Sequence, residues 1–102
     1  MKPQTKLDAR ARKAQILSEA LKLAATRGYA CLTRDEVAAA AGIASSLVAH
    51  HMGTMQAFKR DLMREAVRVE CLTVVAQGLA CRDPHALKAS DELRARAAAS
   101  LT

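Results

Sequence analysis

A chain of 102 residues with 51% apolar and 25% charged side chains is sized for one domain, or one domain with an appendage, and is neither a disordered polar chain nor a bilayer protein. No run of about 18 apolar residues occurs, and the basic start Met1-Lys2-Pro3-Gln4-Thr5-Lys6 has no secretory apolar stretch. The cysteines at 31, 71 and 81 are odd in number and form no CxxC pair, which argues against a disulfide framework and predicts a reducing cytoplasm.

The net charge of +6 is unevenly spread. Residues 1–13 hold Lys2, Lys6, Arg10, Arg12 and Lys13 against Asp8 alone. Residues 44–64 hold Lys59, Arg60 and Arg64 against Asp61, while the remaining segments balance. Such a distribution is the footprint of a protein that meets a polyanion. With one Phe, one Tyr, no Trp, and many Ala and Leu, the chain reads as all-α.

The first helix is predicted from about Asp8 to Thr26, where Ile16, Leu17, Ala20, Leu21, Leu23 and Ala24 recur at three- and four-residue spacing. Gly28 stands at the stop, and Tyr29 and Leu32 bracket a short linker. Thr33-Arg34-Asp35-Glu36 then has the pattern of a capping box, with Thr33 and Glu36 each bonding the other's amide. This second helix sends Val37, Ala38 and Ala41 inward and stops at Gly42. After Ile43, the serines of Ala44-Ser45-Ser46 are placed to cap a third helix reaching about His51. A long fourth helix is expected from about Thr54 to Ala76, ended by Gly78. Its apolar faces are Met55, Phe58, Leu62, Ala66, Val69 and Leu72, widened by Met63, Val67, Cys71, Val74 and Val75. Asp83 and Pro84 open a last helix, roughly 84–99, anchored by Leu87, Leu93, Ala97 and Leu101.

Residues 34–53 satisfy the needs of a helix pair that reads DNA. Ala38 is small where two helices cross, Gly42 tolerates the positive φ of a tight turn, and Val37, Ala41, Ile43 and Val48 pin both helices to the body. Ser45, Ser46, Ala49 and His50 face outward. The run Ile16-Leu17, Ala20-Leu21, Arg27-Gly28-Tyr29, Leu32-Thr33, Val37-Ala38, Ala41-Gly42-Ile43, His50, Gly53 and Ala57-Phe58 resembles the DNA-binding domain of the tetracycline-repressor (TetR) family of transcriptional regulators, over about residues 13–65. The resemblance implies a three-helix domain whose third helix enters the major groove, in a bacterial, cytoplasmic, nucleoid-associated protein. Where the family has aromatics around the histidine, this chain has Ala49, His51 and Met52, and Met55 replaces the usual lysine. Family members also carry a longer helical effector-binding and dimerisation domain. Only 38 residues follow Arg64 here, so no small-molecule effector is expected.

The organisation expected is a flexible basic arm over 1–12, a helix-turn-helix domain over 13–53 and a helical dimerisation segment over 54–102. Candidate DNA contacts are Lys13, Thr33, Arg34, Ser45, Ser46, Leu47, Ala49, His50, His51, Thr54 and Lys59. Ser45 and Ser46 suit phosphates or base edges, Thr33, Arg34 and Lys59 suit phosphates, His50 and His51 suit phosphate or guanine acceptors, and Leu47 and Ala49 suit thymine methyls. One such domain reads few base pairs, so a homodimer on two half-sites is expected. Its interface is assigned to Val67, Cys71, Leu72, Val74, Val75, Leu87 and Leu93, because the run 72–76 is apolar around most of a helix. The alternative is that the last helix folds back onto that run within one chain.

Cys71, Cys81 and His85 match no zinc spacing, and adjacent His50 and His51 point about 100° apart on a helix. No nucleophile elbow, phosphate-cradling glycine loop or carboxylate pair is present. No metal, cofactor or enzymatic activity is therefore expected. The sequence reads as a repressor of the TetR type. DNA binding in plasmid or phage replication control or nucleoid architecture, and a helical protein-interaction module, are the alternatives.

Overall fold

The computed structural model describes residues 9–100, all helices and connecting turns, with no strand among them. Lys2, Lys6 and Leu101 lie outside the described residues. The first helix, α1, runs Ala9–Arg27 and buries Ile16, Leu17, Ala20 and Ala24. The expected arm over 1–12 thus becomes helix by Ala9, and Arg10, Arg12 and Lys13 belong to α1. A 3-10 turn, Tyr29–Cys31, follows Gly28 and buries the Tyr29 ring.

Helix α2, Arg34–Ala41, opens with the predicted capping box. The Glu36 amide donates to Thr33 Oγ1 at 3.2 Å, and the Thr33 amide donates to Glu36 Oε1 at 3.1 Å. Arg27 reaches across from the end of α1 to Glu36 at 2.6 Å. Helix α3, Ser45–Met52, and helix α4, Met55–Arg68, complete the first four. Thr54 caps α4 by accepting from the Ala57 amide. Ile16, Ala20, Val37, Val48, Phe58 and Leu62 pack into one core in which none is more than 1% exposed.

The long helix expected to Ala76 is broken. Helix α4 ends at Arg68, and a separate helix, α5, runs Leu72–Ala80. At the break the Cys71 amide donates to the Ala66 carbonyl at 2.8 Å, the Glu70 amide donates to Val67, and Glu70 takes the left-handed φ of 57°. This is a Schellman stop without its usual glycine. A straight helix with apolar residues on every side would leave half of them in water. Turning at Glu70 lets Leu62, Met63 and Ala66 of α4 and Val74, Val75 and Ala76 of α5 all reach zero exposure. Each buried valine or leucine gains roughly 1.5–3 kcal/mol, more than the 1–2 kcal/mol or so that one left-handed residue costs.

Gly78, expected to terminate a helix, lies inside α5. A Cβ there would sit 2.5 Å from Met63 Cε and 2.8 Å from Ala86 Cβ, so the glycine permits close approach of α4 and the following turn of helix. That turn is α6, Pro84–Leu87, capped by Asp83, whose Oδ1 accepts from the His85 and Ala86 amides. The single last helix expected over 84–99 is also divided. Ser90 restarts the chain as α7, Asp91–Ala99.

Helix α7 folds back on α5 and buries Leu93 and Ala97, and Arg96 pairs with Glu70 at 2.8 Å. This corrects the proposed dimer face. Val74 and Val75 are fully buried and Leu93 is 5% exposed within the chain, so they offer nothing to a second copy. Of the residues assigned to that face, Val67, Cys71 and Leu72 are half-buried and Leu87 is exposed.

Helix α5 is also locked to the N-terminal helices. Gln77 Nε2 donates to the Ala24 carbonyl and Gln77 Oε1 accepts from the Tyr29 amide, both at 2.8 Å. The Tyr29 hydroxyl donates to Asp83 at 3.4 Å. Buried residues from every helix, from Ile16 to Ala97 but without Ala89 and Leu93, form a single cluster, which runs on across residues 53 and 54.

Candidate nucleic-acid interface

The segment joining α2 to α3 is set by Gly42, with φ 72° and ψ 32°. Its left-handed backbone lets the Ile43 amide return to the Ala38 carbonyl at 3.0 Å, closing α2 and redirecting the chain. Val48 and Met52 then turn into the core, while Ser46 and His50, one helical turn apart, stand exposed. Four residues of α-helix advance about 6 Å, so these two side chains mark an outward edge of α3. Leu47, Ala49 and His51 flank it, half-buried. The His50 and His51 rings meet edge-on, 5.1 Å apart at 78°.

Ala44, not a serine, holds the cap position of α3, and its side chain makes no cap bond to the first-turn amides. The expectation that Ser45 or Ser46 caps this helix is therefore corrected. Ser45 instead donates its hydroxyl to Asp35 Oδ1 at 2.5 Å, tying the start of α3 to the start of α2. Between the two helix starts lies an open concavity of about 340 Å³ lined by Thr33, Arg34, Asp35, Ser45, Ser46 and Ala49. Five of these six are among the residues expected from the sequence to contact DNA.

The remaining candidates are placed otherwise. Leu47, His50 and His51 share α3 with Ser46 but do not line the concavity. The Thr54 hydroxyl is used as the α4 cap. Lys59 donates from Nζ to the Ala30 carbonyl at 2.8 Å, steadying the 3-10 turn. Lys13 pairs with Asp61 at 3.2 Å. Burial alone would raise the Asp61 carboxyl, but Lys13 and Arg60 beside it hold it below the usual carboxylate range. Arg34 reaches the Gly53 carbonyl at 3.4 Å, bridging the beginning of α2 to the end of α3.

Asp35 is the group that sequence reasoning missed. In the first turn of α2 it reads simply as an acid at the positive end of a helix dipole. Its exposed carboxylate also lies on the concave surface, beside Arg34 and Ser46. A carboxylate repels phosphate and can accept from the exocyclic amines of bases. Together the concavity offers hydroxyls, a guanidinium, a small apolar group and one carboxylate, arranged around two helix N-termini, with His50 exposed one turn along α3 from Ser46. Such a set suits a groove edge flanked by phosphates.

Among the described residues, no group of three or more His, Cys, Asp or Glu is placed to hold a metal ion, and no helix is long and apolar enough to cross a membrane. Compared with known families, residues 16–65 match the family described as bacterial regulatory proteins, tetR family. No curated protein and no solved structure matches the chain.

Proposed function

Residues 16–65 are a TetR-family domain of a DNA-binding transcription regulator, and from that premise we propose that the protein is a homodimeric repressor that occupies a palindromic operator. The observation that carries this reading is the outward edge of α3, freed by the left-handed turn at Gly42. Ser46 and His50 then address base edges in the major groove, with Leu47 and Ala49 against thymine methyls and His51 beside them. Thr33 and Arg34 meet the flanking phosphates from the start of α2, and the open amides at the start of α3 add to that clamp. Ser45 acts chiefly through Asp35, holding the carboxylate toward the base edges. Lys13, Thr54 and Lys59 support the frame through their bonds to Asp61, Ala57 and Ala30.

A single α3 spans only a few base pairs, and two copies spaced about 34 Å apart or a multiple of it read a full operator. The apolar surface left for a two-fold contact comprises Val69 and Leu87, each 45% exposed, with half-buried Val67, Cys71 and Leu72 around them. Occupying the operator blocks a promoter by exclusion.

Selection of bound sequences from random duplex DNA tests this reading. A symmetric motif with two half-sites is the expected result, and light scattering of the complex should give two chains per duplex. An asymmetric motif, one chain per duplex, or no enrichment at all opposes it.

A further inference from the structure

A second concavity, of about 270 Å³, opens between α4 and α6 and is lined by Arg64, Val67, His85, Lys88 and Ala89. Among the described residues, no acidic side chain lines it. A neighbouring depression differs on this point: there Lys13, Arg64 and Arg68 are accompanied by Asp61 and Glu65. The acids close by in sequence are already engaged. Asp61 is held by Lys13 and Arg60, and Glu65 by Arg68. Asp83 uses one oxygen on the His85 and Ala86 amides and the other on the Tyr29 hydroxyl. Arg64 and Lys88 take part in none of the ion pairs among the described residues.

Basic side chains from two elements thus share a hollow whose charge no acid among the described residues pairs with. Its other walls are apolar, Val67 half-buried and Ala89 buried, so their side chains offer no acceptor that competes with an anion. The backbone beneath is fixed, because Ala86 is fully buried against Gly78 and α6 is capped at its first turn. A guanidinium offers a planar fork of donors, an ammonium a compact charge, and an imidazole one further N–H. These are complementary to a tetrahedral oxyanion.

We infer that Arg64, His85 and Lys88 form a binding site for a phosphate group, separate from the concavity between α2 and α3. The hollow is large enough to admit a substituent with the phosphate, so the group belongs either to a free phosphorylated molecule or to a nucleic-acid backbone. Nothing in the site depends on the operator reading, and its test stands if that reading fails.

The full chain is titrated with inorganic phosphate against chloride at matched ionic strength, followed by amide shifts and by melting temperature. A saturable response at residues 64 and 85–89 and a raised melting temperature are expected. The double variant Arg64→Gln, Lys88→Gln should bind phosphate at least tenfold more weakly while melting unchanged in chloride, since both side chains are exposed. Arg64→Lys, which keeps the charge, should retain most of the response. A parallel measurement of DNA affinity against salt distinguishes the sources. The slope falls by about 2 in the double variant if the phosphates are those of DNA, and is unchanged if the ligand is free. Absence of a saturable phosphate response in the parent chain, or an equal response in the double variant, overturns the site.

Discussion

Replacing Gly42 by alanine isolates the backbone term at the turn on which α3 depends. A Cβ built there meets nothing within 4 Å, so no clash contributes, and the penalty arises from φ 72° alone. An L-residue in the left-handed region costs about 1–2 kcal/mol. Alanine returns roughly 0.5 kcal/mol by restricting the unfolded chain. The net loss should be about 1 kcal/mol, which lowers the melting temperature of a domain this size by about 4–8 °C. Urea unfolding should show the midpoint falling with an unchanged slope. Gly42→Asn, whose side chain tolerates this conformation better, should lose less than half as much. An unchanged midpoint for Gly42→Ala, or an asparagine variant no better than alanine, would refute the assigned turn.

The same stop occurs at Arg82, with φ 59° and the Asp83 amide returned to the Gly78 carbonyl at 2.8 Å. Arg82→Gly should therefore stabilise the protein by about 1 kcal/mol, and a lower urea midpoint would contradict this. Gly78→Ala gains up to about 1 kcal/mol of helix propensity, yet its Cβ would press on Met63 and Ala86. Overpacking of about 1–3 kcal/mol should prevail, and calorimetry showing a raised melting temperature would count against the packing described. Burial first, and the nearby Asp83 charge second, push the Tyr29 hydroxyl from 10.0 up to about 12. A raised folded value means that its stabilising contribution is complete below pH 10 and is lost as the pH climbs toward 12. Tyr29→Phe should flatten that alkaline limb of stability, and an identical limb in both proteins would remove Tyr29 as its source.

The legible parts of this fold are those written in local punctuation. Thr33 with Glu36, Gly42, Thr54, and Asp83 with Pro84 each announce an end in residue types that only an end requires. The stop at Glu70 carries no such mark, because a glutamate is held left-handed there by burial gained on both sides of the bend. A glycine needed for close helix packing looks the same in sequence as one that ends a helix, which is why Gly78 misleads. The apolar run from Leu72 to Ala76 was legible as surplus, but whether a second copy or α7 covers it depends on a turn at Ser90 that spacing alone does not fix. At the candidate interface, Thr33, Arg34, Ser45, Ser46 and Ala49 were legible because they follow from the helix pair. Asp35 was hidden by its second role in the dipole, and the engagement of Lys59 with Ala30 by a contact between residues far apart in sequence.

The central claim is that α3 is the element presented to DNA. Backbone amide shifts of the full chain, titrated with its selected duplex, measure this directly. The largest changes should fall on residues 33–35 and 45–50, with the buried stretch 74–76 of α5 and the α7 helix nearly silent. A response concentrated on residues 72–99, with α3 unmoved, would contradict the account.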